Sequence, residues 1–130
     1  MLTFKNIVAG GLFLFGTTFL WMTASFAGKT PPPEGAAWTL ENVLTIVAIV
    51  GFSAAAWGVY EDLAWWEAAA AASALVGLVA VVPYVVGVSG IGGFDDSGVQ
   101  INLAMHVLGS AAVLAMVVVP WAHEWVAHRL

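Results

Sequence analysis

The chain has 130 residues, 62% hydrophobic and 8% charged, with a mean hydropathy of +0.96 and a formal net charge of −5. A soluble domain needs charge on roughly a quarter of its residues to cover a water-facing surface, so most of this surface must face lipid. Three Lys+Arg against eight Asp+Glu exclude the basic face that nucleic acid needs, and the absence of cysteine excludes disulfides, thiolate metal sites and dithiol redox chemistry.

Charges punctuate the chain. None lies between Lys5 and Lys29, Glu41 and Glu61, Glu67 and Asp95, or Asp96 and Glu124. Each gap is about 20 residues or more, enough for a helix to cross a ~30 Å hydrocarbon core. The gaps predict four spans, about 6–27, 39–60, 63–89 and 98–122. Unbroken apolar runs without period-two alternation exclude a membrane β-barrel. The expected fold is all-α: a single transmembrane domain over 1–130, an up-down-up-down four-helix bundle with short loops.

The first span has a rival reading. Lys5, an apolar run and the small residues of "SFAG" (Ser25–Gly28) also resemble a cleavable signal peptide. The run is long for a signal core, which favours a true span. The following "GKTPPPEG" holds three prolines and predicts a stiff, extended strap.

Span two opens with Thr39 as an expected N-cap and Glu41 in the first turn, where a carboxylate complements the helix dipole. No acid is expected in the interior of a span, which argues against carboxylate-coupled proton pumping. Asp62 is expected to cap span three, making spans two and three a tight antiparallel hairpin. Gly51/Ala55, Ala54/Gly58, Ser73/Gly77 and Ala111/Ala115 have the small-x-x-x-small spacing of close helix contacts. Pro83 should kink span three and free the Val79 carbonyl for a neighbouring hydroxyl. The glycine-rich loop "SGIGGFDDSG" leads to "SGVQ", which fits a capping box with Ser97 at the N-cap and Gln100 reaching back.

Span four carries the main candidate site. Asn102, His106 and Ser110 recur at i, i+4 and i+8, one face of a helix. Lipid offers an imidazole no partner, so this face should turn into the bundle with His106 neutral and bonded to Tyr84 or Thr45. Counting depth places His106, Tyr84, Thr45 and Trp21 in one polar layer, in the half away from the termini. The layer reads first as interhelix glue, and alternatively as a binding site formed by His106, Tyr84, Asn102, Thr45 and Ser110. A lone histidine gives neither bis-histidine haem ligation nor a metal site. In "HEWVAH" (His123–His128) the second histidine falls one residue too late for the zinc motif H-E-x-x-H. No metal or cofactor is therefore expected. His123, His128 and Arg129 read as an interfacial helix end complementing its dipole.

Both termini and the 61–67 turn should share one side. That side carries Lys5 and Arg129 against Lys29 opposite, so the positive-inside rule favours cytoplasmic termini by one charge. Trp65, Trp66, Trp121 and Trp125 would belt the terminal side and Trp38 the other.

The last helix, "INLAMHVLGSAAVLAMVVVPWA", resembles the closing helix of an uncharacterised family of small four-span prokaryotic membrane proteins. The similar features are the Met105–His106 pair near the start of the helix and the small residue Gly109 soon after. The resemblance covers this helix and the four-span layout, and implies no established activity. Small multidrug exporters fit worse because they rely on a first-helix glutamate, and 6–27 holds no acid. Vitamin K epoxide reductase-like proteins need cysteines.

Two functions follow as expectations. The first is a non-enzymatic cell-membrane protein, a structural or accessory subunit with lipids as partners, in a homo-oligomer or larger membrane complex. The second is binding or transport of a small apolar or weakly polar, quinone- or lipid-like molecule at the His106 layer.

Overall fold

The computed structural model describes all residues, 1–130, and its regular elements are all helices, with no strand. Four helices are long and apolar enough to cross a membrane: Phe4–Met22, Ala36–Tyr60, Trp66–Gly90 and Ser97–Val118. Their regular parts are α1 (Phe4–Thr18), α2 (Ala36–Tyr60), α3 (Trp66–Gly90) and α4 (Ser97–Val118). A fifth helix, α5 (Pro120–Ala127), follows them. Each spanning helix packs on its neighbour in sequence, and the α2–α3 contact is the most extensive.

The first span is shorter than 6–27. Its α-helix ends at Thr18, and Phe19–Met22 and Ala24–Phe26 are 3-10 turns separated by extended Thr23. The hydroxyls of Thr17, Thr18 and Thr23 each donate to a carbonyl three residues back. A 3-10 turn eclipses positions i and i+3, so Phe19 and Met22 both enter the core, fully buried. Asn42 Oδ1 accepts the Ala24 amide at 3.0 Å and ties this break to α2.

The other helix starts also differ from expectation. α2 begins at Ala36, with Gly35 at φ 123° as its N-cap instead of Thr39. α3 begins at Trp66 because Asp62 sits at φ 56° in the connecting turn, where it pairs with Lys5. At α4 the N-cap is Asp96, whose Oδ1 accepts the Gly98 amide at 2.7 Å, so Ser97 lies inside the helix. The Gln100 side chain donates to the Phe94 carbonyl rather than reaching back to the cap. Span four stops at Val118. Pro120 lacks an N–H and pushes Val119 to an extended ψ of 119°, so α5 starts as a separate helix.

Glycines set the close approaches. A Cβ on Gly51 would lie 2.1 Å from Ser73 Oγ, and one on Gly58 would lie 2.7 Å from Trp66 Cβ, both across the α2–α3 seam. The Ala111/Ala115 pair is no such contact, because Ala111 is exposed. Pro83 is buried within a helix assigned without interruption from Trp66 to Gly90, and the Tyr84 hydroxyl goes to Asn102 rather than to the Val79 carbonyl.

The terminal side is closed by polar and aromatic contacts. His123 Nε2 meets Glu67 Oε1 at 2.8 Å, joining α5 to α3. Phe4 packs edge-on against Trp125, and Arg129 stacks over the same indole while donating to the Trp125 carbonyl. Trp65, Trp121 and Trp125 are exposed at this end. Trp66 and Trp38 are buried, because they fill the spaces over Gly58 and Gly87.

Candidate functional site

The buried residues of α4 are Asn102, His106 and Ser110, and no others. The polar stripe thus faces the bundle, while Ile101, Leu108 and Val118 are left on its open face. A helix surrounded by hydrocarbon hides the groups that hydrocarbon cannot satisfy.

His106 is fully buried and bonded at both ring nitrogens. Nδ1 lies 2.7 Å from the Asn102 carbonyl, and Nε2 lies 3.1 Å from Thr18 Oγ1 on α1. A carbonyl only accepts, so Nδ1 carries the proton in a neutral ring and Nε2 accepts. The Thr18 hydroxyl also lies 2.6 Å from the Phe15 carbonyl. It has one proton and two acceptors beside it, so a neutral His106 and the Phe15 carbonyl compete for that proton. The Phe19 ring meets the imidazole edge-on at 4.5 Å between centroids. The interhelix partner is therefore Thr18, not Tyr84 or Thr45. Thr45 donates to the Asn42 carbonyl within α2.

Asn102 forms a second junction. Its Nδ2 donates to the Trp21 carbonyl at 2.9 Å and to the Tyr84 hydroxyl at 3.0 Å. One amide thus holds the first span, α3 and α4 together. Trp21 joins the layer through its backbone, while its indole is half exposed. Ser110 Oγ is buried without a partner, lying where a Cβ on Gly77 of α3 would stand.

Sequence reasoning missed Thr18, Asn42 and the burial of Glu41. Glu41 lies five residues after Ala36, ~7.5 Å along α2. It is fully buried, and neither carboxyl oxygen has a hydrogen-bond partner. The expectation of a first-turn residue complementing the dipole is thus corrected: α2 starts three residues earlier than Thr39 and carries the acid into the bundle. The signal was present in the spacing. Glu41, Thr45, Ala48 and Phe52 follow at i, i+4, i+7 and i+11, and all are fully buried.

A cavity of about 290 Å³ opens beside Asn102. Trp21, Phe26, Tyr84, Asp96, Asn102 and Met105 are among its walls. A smaller one of about 180 Å³ adjoins it, sharing Tyr84 and Asp96 and adding Trp38 and Lys29. Of the predicted site residues, Tyr84 and Asn102 line these cavities. His106, Thr45 and Ser110 do not. No three His, Asp or Glu side chains converge on one point. No family model, curated protein or solved structure matches this chain.

Proposed function

We propose that this chain is a multi-pass protein of the cell membrane, with its termini in the cytoplasm, that binds a small, weakly polar ligand without catalysing a reaction. The site is the cavity between the first span and α4. One observation carries the reading: Asn102 stands in the cavity wall with both N–H groups engaged and a buried Oδ1 that has no partner. Apolar walls with a few fixed polar groups are what small-molecule sites in proteins use. His106 is then a positioning residue, holding α4 against α1 so that Asn102 keeps its place. Native mass spectrometry from mild detergent tests this. Wild type should retain a small adduct that Tyr84→Phe, which keeps the ring and removes the hydroxyl, retains less well. Spectra in which neither wild type nor Tyr84→Phe carries an adduct would overturn it.

A second reading is a structural or accessory subunit, in a homo-oligomer or larger complex of the uncharacterised four-span type resembled by the last helix. The open apolar face of α4 favours it. The same spectra separate the two, since this reading expects a stable oligomer or co-purifying subunit and no adduct.

A further inference from the structure

Both Asn102 N–H groups are used, by the Trp21 carbonyl and the Tyr84 hydroxyl. Asn102 Oδ1 has no partner but is buried beneath the wall, so charge and aromatic faces set what the cavity selects. The charge on the walls is negative, since Asp96 lines both cavities. The opposing charge, Lys29, lines the smaller cavity alone. The first turn of α4 would favour an anion through its amides, but Asp96 already holds the Gly98 amide. The remaining walls include the aromatic side chains of Trp21, Phe26 and Tyr84, whose ring faces attract cations.

We propose that the larger cavity takes an organic cation, a protonated amine on an apolar body, with the ammonium directed to Asp96 and the body against Trp21, Phe26 and Met105. This rests on the ligand-binding reading above. The volume of about 290 Å³ is near the lower end for ligand pockets, so the cation is small.

Calorimetric titration of the full chain in zwitterionic lipid nanodiscs tests this, with empty nanodiscs subtracted. The probes are phenylbutylamine, phenylbutanol and phenylbutyrate, which share one body and differ in head group. The amine is protonated at neutral pH. It should bind about tenfold more tightly than the alcohol, and the acid should bind weakest. Asp96→Asn should weaken the amine severalfold and the alcohol much less. It keeps an N-cap side chain, so it reads the charge without removing the cap. Equal binding of amine and alcohol would overturn the cation and leave the ligand site standing. Tightest binding of the acid would make the site anionic. No binding of any probe would overturn the site itself.

Discussion

The two ends of the bundle are built on opposite terms. Towards the termini, α2 and α3 meet through glycine and small side chains, with Gly51 against Ser73, Gly58 against Trp66, and Ala55, Ala70 and Ala74 fully buried. Polar contacts there sit outside the seam, as in Lys5–Asp62 and His123–Glu67. Towards the loops, the first span breaks into 3-10 turns, and bonds of Thr18 and the Trp21 carbonyl to His106 and Asn102 join it to α4. Glu41, Asn102 and Ser110 keep unpartnered buried atoms, with Glu41 and Asn102 on the loop side. Close packing of small residues holds helices together in lipid without polar groups. The end that departs from that recipe is the one with the cavities, and unsatisfied groups retained in a bundle mark function before stability.

Substitutions should expose the contrast. The largest loss belongs to the dry end. In Gly58→Leu the new Cβ meets Trp66 Cβ at 2.7 Å and Trp66 Cα at 3.1 Å, neighbours close to the backbone that cannot swing away. Thermal unfolding in detergent should show a loss of about 3 kcal/mol. A near-neutral result would mean the α2–α3 seam is looser than described. His106→Leu should still insert and fold, losing about 1 kcal/mol, because it removes one interhelix bond and keeps apolar volume. A loss several times larger would make His106 the keystone of the bundle rather than one contact in it. Thr18→Val keeps the shape and removes only the hydroxyl, for roughly 0.6 kcal/mol. If Thr18→Val and His106→Leu are combined, the losses should add to less than their sum, since both delete the same bond. Full additivity would contradict the His106–Thr18 contact.

The four helices long and apolar enough to cross a membrane were legible from charge spacing alone, because lipid tolerates few charges and a spanning helix has a nearly fixed length. The inward turn of Asn102, His106 and Ser110 was legible for the same reason. Partners were harder. Thr18 was hidden because the first span was read as one helix through residue 27, so depth counted back from that end put Thr18 further from the loops than it lies. Glu41 was misread because the N-terminus of α2 was placed at Thr39, the first conventional cap residue, whereas Gly35 starts the helix through its backbone. Val119–Pro120 carried a readable stop signal, but the long apolar run around it outweighed one proline.

The central claim is that the loop end carries groups kept at a cost to stability. Thermal unfolding of Glu41→Met against wild type, in the same ligand-free nanodiscs, tests it most directly. Methionine has a similar length and fills irregular space, and replacing a buried carboxyl that lacks partners with an apolar side chain relieves its desolvation. The account predicts a higher unfolding midpoint for Glu41→Met. A lower midpoint would contradict it, because Glu41 would then be a satisfied part of the core.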